Sequence, residues 1–377
     1  MFNAKYSKLM NRGARISLRS KVNDSLITGL RIIDLLLPIG KGQRQLILGD
    51  RYTGKTSIII NTILYSNYIS LLASIDGLGT KRLFSIYVGI NQNLSKLSKL
   101  IGYLLFLPNN LFLASHSSSS SLLSYSLPLI GISLCERLRD RGFDVLISID
   151  DLSKHAKSYR QISLILAKIP SRDAFPADIF NIHSSLLERC GKLKLNYFNG
   201  SITGLPIIET IGNDITEYIA TNVISITDRQ LYTNKLLFNN SCRPSIDSSL
   251  SVSRIGSNAQ LKIIKLITIG IKNELTNQRY NNGIKLKELN TLFYQHYLFI
   301  SSTEMNIMLI WVHRFSLTQF NVWMVELIYM MLGLYMYYYY FSFILKFNWT
   351  ARRTKLLNQL MLILTSTINV IKGNTKR

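Results

Sequence analysis

An eight-residue stretch after a short apolar run constrains the fold of this chain more than any other feature. Residues 49–56 read Gly-Asp-Arg-Tyr-Thr-Gly-Lys-Thr, which matches the phosphate-binding loop (P-loop) pattern GxxxxGK[ST]. The apolar run 43–48 precedes this loop, and a helical pattern begins at Lys55. Glycines let such a loop wrap a phosphate, and the helix N-terminus attracts the anion. Because strand, loop and helix follow in the order that the pattern needs, we expect an α/β nucleotide-binding domain.

Two side chains of the P-loop have roles that the pattern predicts. Lys55 would reach the outer phosphates of a nucleotide, and the Thr56 hydroxyl would bind Mg²⁺. A P-loop also needs a carboxylate at the end of another strand, and Asp150 and Asp151 follow the apolar run 144–149. We predict that Asp150 binds the metal, and that Asp151 supports it or caps the next helix.

The alternation of apolar runs with helical stretches predicts the fold class. The runs lie at 43–48, 83–88 and 144–149. The last is almost continuously apolar, as expected for a strand buried on both faces. Strands that alternate with helices predict a parallel sheet with flanking helices. The serines around His116 indicate a loop rather than a site.

Charge divides the chain of 377 residues into three parts. Residues 1–22 carry six basic and no acidic side chains, which fits either a mitochondrial transit peptide or a basic linker. We expect residues 23–265 to form the nucleotide-binding domain and residues 266–377 a divergent helical domain. The formal net charge of +23 predicts an anionic partner, which could be a nucleic acid, a membrane surface or an acidic subunit.

Three widely spaced cysteines disfavour a disulfide framework and a zinc site.

An uncharged stretch of 19 residues at 327–345 is long enough to span a bilayer. Five of the residues from Tyr335 to Tyr340 are tyrosines, and each hydroxyl needs a hydrogen-bond partner. No second apolar segment of comparable length accompanies the stretch. We therefore expect a buried or interfacial helix, with a membrane span as the alternative.

Several further segments carry a resemblance to one family. They are, in chain order, DDLSKHAKSYRQ at 150–161, IPSRDAFPAD at 169–178, HSSLLER at 183–189, GSITGLPIIET at 200–210, TNVISITD at 221–228 and CRPSIDSSLSVSRIGSNAQ at 242–260. Together with the P-loop and the residues before it, these segments resemble the α subunits of F-type ATP synthases. The resemblance covers about residues 12–265 without a break in order.

The resemblance implies a RecA-like P-loop NTPase fold, followed by an α-helical C-terminal domain. It also implies a non-catalytic site for ATP and Mg²⁺ within an H⁺-transporting two-sector ATPase. Catalytic subunits of the family place a glutamate after the second strand to orient the attacking water, whereas this chain has Gln92. An amide cannot act as a carboxylate base near neutral pH, so we expect very slow hydrolysis at the chain's own site.

The segment 249–257 contains a residue that would act on a neighbouring subunit. The resemblance implies that Arg254 reaches the nucleotide of an adjacent β subunit as an arginine finger, with Ser251 near that interface. An ordinary interface salt bridge is the alternative for Arg254. Arg243 and Pro244 match family contacts around the chain's own nucleotide. The predicted nucleotide-binding residues are therefore Gly49, Asp50, Arg51, Tyr52, Thr53, Gly54, Lys55, Thr56, Ser57, Gln92, Arg243 and Pro244.

The partners that the resemblance implies are β subunits in an alternating ring, the γ subunit of the central stalk, and the peripheral stalk. The family's N-terminal β-barrel is missing, so we expect a separate chain to supply it or the ring to be held differently. Tyr52 replaces the family's usual glutamine in the P-loop, and the resemblance thins after Gln260. The composition favours an organellar gene. We expect a peripheral location on the matrix side of the mitochondrial inner membrane, with the plastid thylakoid membrane as the alternative.

Two other functions fit parts of the sequence. A nucleic-acid motor of the P-loop superclass would suit the net charge of the whole chain. Residues 23–260, however, carry 24 basic and 17 acidic side chains, so the excess lies at the ends and not in the core. A motor would also need a carboxylate where Gln92 stands, and we expect no nucleic-acid partner. A membrane-attached structural remnant without bound nucleotide is the remaining alternative.

Overall fold

The computed structural model describes residues 8–11, 13–75, 82–104, 107–212, 214–240, 243–247, 250–251 and 259. These residues belong to the first of two compact units, Met1–Ser302. The expected helical domain at 266–377, the segment 327–345 and Arg254 lie outside the described residues. Within them, no helix combines the length and the apolar character that crossing a membrane requires. The three domain boundaries stay predictions.

Nine strands, eight α-helices and three short 3₁₀ helices lie in the described part of the chain. The strands are β1 (Ser25–Leu26), β2 (Ile39–Gly40), β3 (Gln45–Asp50), β4 (Leu83–Gln92), β5 (Asn110–His116), β6 (Asp144–Asp150), β7 (Gly191–Lys192), β8 (Ser201–Thr210) and β9 (Arg229–Thr233). The helices are α1 (Arg31–Leu36), α2 (Lys55–Ile75), α3 (Leu94–Leu104), α4 (Ser121–Arg139), α5 (Leu152–Ile165), α6 (Ile179–Glu188), α7 (Tyr218–Ile226) and α8 (Lys235–Asn239).

Six parallel strands form the central sheet in the order β5-β4-β6-β8-β3-β9. Strand β7 pairs antiparallel with the start of β8, and β1 and β2 form a separate antiparallel pair. The parallel sheet with flanking helices that the sequence predicts is therefore confirmed. The expected strands at 83–88 and 144–149 are observed as β4 and β6.

The first predicted strand begins later than expected. We expected it at residue 43, whereas β3 begins at Gln45 and includes Gly49 and Asp50 of the P-loop. The Gln43 side chain instead closes a turn, because its Oε1 accepts a 2.9 Å hydrogen bond from the Gly40 amide. The loop predicted from the serines around His116 is likewise shorter than expected. It lies between the end of β5 at His116 and Ser120, which caps α4 by accepting a hydrogen bond from the Leu123 amide.

Two apolar cores lie on the two faces of the sheet. Leu46 and Leu48 of β3 belong to one core, and Ile47 belongs to the other, as the alternation of side chains along a strand requires. Residues of α4–α7 complete the first core, and residues of α1–α3 complete the second. All residues of β3 and β6 are buried, which explains why these strands appear in the sequence as nearly continuous apolar runs.

The strand order determines where the predicted site residues lie. The P-loop follows β3, Asp150 ends β6 and Gln92 ends β4. In a parallel sheet the carboxyl ends of neighbouring strands meet at one edge, which is where ligands bind in open α/β sheets. The sheet therefore brings these three elements to the same edge, with β8 between β6 and β3.

Candidate functional site

The two P-loop glycines hold the turn between β3 and α2 in a form that other residues would not adopt. A Cβ atom on Gly49 would lie 1.9 Å from Oγ1 of Thr233 on the adjacent β9. Gly54 has φ +87°, a left-handed conformation that L side chains rarely adopt. The loop can therefore keep its path only with glycine at these two positions.

Lys55 lies in the loop with its ammonium group turned back onto the backbone. Its Nζ donates a 2.8 Å hydrogen bond to the carbonyl oxygen of Gly49 and a second hydrogen bond to that of Asp50. Burial lowers the pKa of this ammonium, and the carboxylates of Glu209 and Asp150 oppose that shift. A buried cation is stabilised by a nearby anion, so a phosphate group would complete the environment that Lys55 occupies.

Hydroxyl groups from three parts of the chain hold the middle of the loop. The Thr53 hydroxyl donates a 2.8 Å hydrogen bond to the Asp50 carbonyl and lies 2.7 Å from the hydroxyl of Thr233. Ser245 donates a 2.7 Å hydrogen bond to the Thr53 carbonyl. The hydroxyl of Thr210, at the end of β8, donates to Oδ1 of Asp50 at 2.9 Å. These bonds fix the loop from the neighbouring strands, independently of any ligand.

The tip of the loop is open to solvent. Tyr52 has φ 64° and an exposed fraction of 91%. Arg51 is exposed and forms a 3.3 Å ion pair with Glu209 of β8. Ser57, in the first turn of α2, is exposed as well. Among the described residues, Tyr52 therefore makes no buried contact that would prevent it from moving when a phosphate binds.

Asp150 lies beside the P-loop, as the sequence predicts. Its Oδ2 accepts hydrogen bonds from three groups: Oγ1 of Thr56 at 2.9 Å, the hydroxyl of Tyr87 at 2.7 Å and Nζ of Lys96 at 3.3 Å. Thr56 and Asp150 are 94 positions apart in the chain, so the fold brings the two predicted metal ligands together.

The residues around Asp150 fit Mg²⁺ that arrives with a nucleotide. Mg²⁺ prefers oxygen ligands, and it commonly takes one or two side-chain oxygens together with phosphates and waters. The Thr56 hydroxyl and the Asp150 carboxylate are ligands of that kind. No group of three or more His, Cys, Asp or Glu side chains that could hold a metal is found in the described part of the chain. The donor set is therefore incomplete for a protein-only metal site and suitable for a metal–phosphate complex.

Asp151 caps the helix that follows β6. Its side chain accepts a 2.6 Å hydrogen bond from the Lys154 amide at the start of α5. Burial raises the pKa of Asp151 to about 7, and the nearby positive charge of Lys154 opposes this. The capping role, which was one of the two predictions for this residue, is confirmed.

Gln92 lies at the end of β4 and reaches the same site. Its side chain is buried, and Nε2 donates a 2.9 Å hydrogen bond to the backbone carbonyl of Asp150. The fold thus places an amide, and not a carboxylate, next to the predicted metal ligand.

The segment after α8 contacts the P-loop from the other side. The guanidinium of Arg243 lies 5.0 Å from the centre of the Phe238 ring, and that ring lies 3.9 Å from the position that a Cβ atom on Gly54 would take. Pro244 precedes Ser245, which bonds to the loop as described above. Arg243 and Pro244 therefore lie in a segment that contacts the P-loop, and their contact with a nucleotide stays a prediction.

Ser251 has a structural role in the contacts that are described. Its hydroxyl donates a 2.6 Å hydrogen bond to the Asp247 carbonyl and accepts one of 3.0 Å from the Tyr232 amide. These bonds attach the segment to β9. The catalytic role expected for Ser251 stays a prediction, as does the role of Arg254, which lies outside the described residues.

Sequence reasoning missed two residues that contact Asp150. Tyr87 is a buried tyrosine between Ile86 and Val88 of β4, and a buried hydroxyl of this kind needs a hydrogen-bond partner. Lys96 is a cation in the first turn of α3, directly after a strand that ends at the site. Each of these signals was present in the sequence, but the partner could be named only once the strand order was known.

Comparison with known proteins also indicates a nucleotide-binding domain. A sequence model described as the ATP synthase alpha/beta family, nucleotide-binding domain, matches residues 29–253. A protein of Clostridium botulinum (strain Eklund 17B / Type B) named ATP synthase subunit alpha is 45% identical over 264 residues, which are 69% of this chain and 50% of the relative.

Two further relatives have the same name. The protein of Metamycoplasma arthritidis is 44% identical over 269 residues, covering 71% of this chain and 48% of the relative. The protein of Neorickettsia sennetsu is 43% identical over 285 residues, covering 74% of this chain and 55% of the relative. The chain spans about half the length of the curated relatives it matches. The P-loop, the strand order and these matches together establish that the chain belongs to the ATP synthase alpha/beta family.

Proposed function

We propose that this chain binds MgATP without hydrolysing it, as the α-type subunit of an F-type ATP synthase. The observation that carries the non-catalytic assignment is Gln92, whose amide group lies beside Asp150 at the edge of the sheet where the nucleotide would bind. An amide has no basic lone pair near neutral pH, so it cannot take a proton from an attacking water. Relatives named ATP synthase subunit alpha support the same proposal.

Different residues of the chain would bind the phosphates and the Mg²⁺ ion. Lys55 and the backbone amides of the P-loop would hold the phosphates at the N-terminus of α2. Thr56 and Asp150 would hold Mg²⁺, which would neutralise part of the phosphate charge. Gly54 keeps the backbone free of a side chain where the phosphates approach. Binding would then be strong because a buried cation, a set of amides and a metal act on one anion.

Membership of the family also suggests which other subunits the chain binds. We infer that the chain alternates with β subunits in a ring around the γ subunit, with a peripheral stalk outside. In this arrangement Arg254 would extend from the chain toward the nucleotide of a β subunit. The ring as a whole would form part of an H⁺-transporting ATPase. To this complex the chain would contribute its fold, its bound nucleotide and the guanidinium group of Arg254.

The compartment is a separate proposal. The Ile, Asn, Lys, Tyr and Ser bias of the composition favours an organellar gene, and we propose the matrix side of the mitochondrial inner membrane. The relatives named above are bacterial proteins, so they offer no support for an organelle. Fractionating the source cells and probing each membrane with an antibody to this chain decides the question.

Nucleotide binding and turnover by the purified full chain test the proposal. Equilibrium dialysis with radiolabelled ATP in the presence of Mg²⁺ should give one tightly bound nucleotide per chain. Phosphate release by the same preparation should stay far below the ~1–10³ s⁻¹ that is typical of enzymes. Turnover within that range would show that the chain is catalytic and that Gln92 does not prevent hydrolysis. Absence of bound nucleotide would instead favour the structural remnant.

A further inference from the structure

Three donors meet at one oxygen of Asp150, and only one of them carries a charge. The hydroxyls of Thr56 and Tyr87 are neutral, whereas the ammonium of Lys96 lies 3.3 Å from the same Oδ2. This oxygen is the one for which Mg²⁺ would compete under the proposed function. A cation that belongs to the chain itself is therefore placed at the predicted metal ligand.

The three donors differ in packing and in exposure to solvent. The Tyr87 ring is buried and stacks on Phe112, with the ring centres 5.3 Å apart and the planes inclined by 3°. Thr56 is held in the first turn of α2. The Lys96 side chain is 41% exposed, against 5% for Asp150. Lys96 is thus the donor that can withdraw into solvent while Asp150 stays in place.

The position of Lys96 in its helix also points to an electrostatic partner. Lys96 lies in the first turn of α3, where its amide donates to the Asn93 carbonyl at 3.0 Å. The N-terminus of a helix carries a partial positive charge, which disfavours a cation there. The Asp150 carboxylate offsets this disadvantage. Lys99, one turn further along α3, is exposed and forms no ion pair with any carboxylate in the described part of the chain.

We propose that Lys96 is an internal counter-ion of Asp150 that competes with Mg²⁺ for this carboxylate. The inference rests on the proposed function, because it takes Asp150 as the metal ligand. When Mg²⁺ binds, the like charges repel and the ammonium leaves Oδ2 for solvent. Lys96 thereby raises the Mg²⁺ concentration at which the metal–nucleotide complex forms on the chain. It also keeps the buried Asp150 charge paired at lower Mg²⁺ concentrations.

A magnesium titration of nucleotide binding tests this role without any measurement of activity. The full-length chain is mixed with a fluorescent ATP analogue, and MgCl₂ is added from an EDTA-buffered start. We expect Lys96→Met to lower the half-saturating Mg²⁺ concentration about three- to tenfold, as befits a partly exposed ion pair with one buried partner. Lys96→Arg keeps the charge and should stay within about twofold of wild type. Lys99→Met makes the same charge change on the same helix and should have no effect beyond about 1.5-fold.

The outcomes separate this inference from the proposed function. If Asp150→Asn removes the Mg²⁺ dependence while Lys96→Met behaves like Lys99→Met, Asp150 is the metal ligand and the counter-ion role is wrong. If wild-type binding shows no Mg²⁺ dependence, both assignments fall together. If Lys96→Met weakens binding of the analogue in EDTA by more than about tenfold, Lys96 is a phosphate ligand and not a counter-ion of Asp150.

Discussion

Nδ1 of His155 lies 3.2 Å from Nε2 of His183, and both rings are buried. The Nε2 of His155 is 3.1 Å from the Tyr125 carbonyl, which can only accept, so His155 carries its proton on Nε2. Its Nδ1 must then accept from Nε2–H of His183. This leaves Nδ1 of His183 unprotonated, and that atom is buried without a hydrogen-bond partner among the residues that the structure describes. Burial lowers the pKa of both rings and so favours their neutral forms, and for neutral rings these contacts select one tautomer of each imidazole.

The histidine pair should make stability depend on pH. Burial lowers the pKa of His155 to about 4 and that of His183 to about 3, from an ordinary value of 6.5. Below pH 6.5 the unfolded chain binds protons that the folded chain does not, so these two groups reduce the free energy of unfolding as the pH falls from about 6.5 to about 4. Asp34 and Asp151 act in the opposite direction, since burial raises their pKa values to about 6 and about 7.

Because these contributions oppose each other, the effect is best measured as a difference. We expect His183→Gln to lower the pH dependence of the free energy of unfolding by about 1.4 kcal/mol per pH unit between pH 4.5 and 5.5. Urea unfolding of wild type and variant at several pH values gives the two slopes. His116→Gln, which changes a half-buried histidine at the carboxyl end of β5, away from the pair, is the control. Parallel slopes for His183→Gln and wild type would show that the pair titrates in the folded state.

Lys55→Ala should remove MgATP binding. The variant lacks the one ammonium that lies inside the P-loop, and we expect the affinity to fall at least about a hundredfold, since charge-assisted bonds to a phosphate are strong. The unliganded protein should keep its stability within ~1 kcal/mol, because Lys55 is a buried cation with only carbonyl partners. Isothermal titration calorimetry measures the affinity. Lys157→Ala on the exposed face of α5 should bind like wild type, and equal binding by both variants would contradict the role of Lys55.

Gly49→Ala should destabilise the fold strongly. The added Cβ would lie 1.9 Å from Oγ1 and 2.6 Å from the carbonyl oxygen of Thr233, so two strands would have to move apart. We expect a loss of about 2–4 kcal/mol of unfolding free energy. Gly102→Ala is the matched change, because nothing lies within 4 Å of its added Cβ and Gly102 is in α3. That variant should gain about 0.5–1 kcal/mol. Thermal or urea unfolding ranks the pair, and similar stabilities would contradict the clash.

Arg254→Ala should leave this chain's own MgATP affinity nearly unchanged while turnover by the assembled head is lost. An arginine finger stabilises charge that develops on another subunit's phosphoryl group, and its removal costs about 10³–10⁵-fold in rate. Arg254→Lys should restore little activity, because a point charge lacks the planar fork of donors. The measurements are assembly by size-exclusion chromatography, own-site binding and multisite ATP turnover. Turnover of the Ala variant within about threefold of wild type would make Arg254 a structural residue.

The parts of the site that lie close together in the chain could be predicted from the sequence. Gly49, Lys55 and Thr56 fall within eight consecutive residues, and the chemistry of phosphate binding demands that spacing. Asp150 could be predicted because a carboxylate directly after a buried strand must emerge at the edge of the sheet. These inferences needed only the local pattern and the rule that parallel strands end together.

The contacts that depend on strand order could not be predicted. Tyr87 reaches Asp150 because β4 lies next to β6, and Ser245 reaches the P-loop because the chain returns to β9. Periodicity shows that Tyr87 is buried but does not show what its hydroxyl meets. The predicted start of β3 was two residues too early. A glutamine such as Gln43 fits the pattern of a strand as well as that of a turn, and its side-chain hydrogen bond with the Gly40 amide is not visible in the sequence.

The insertion of β8 between β6 and β3 has a consequence for synthesis of the chain. Neighbouring strands lie about 4.8 Å apart, so this one strand sets a spacing of about 10 Å between the backbones of β3 and β6, across which the side chains of Thr56 and Asp150 meet. Residues 201–210 are made after both of them. A nascent chain halted before residue 201 therefore contains the complete loop and the carboxylate but lacks β8, the strand that pairs with both β3 and β6 and sets their spacing. Ribosome-bound chains of increasing length should acquire nucleotide only once residue 210 has left the exit tunnel, which photo-crosslinking with an azido-ATP would record.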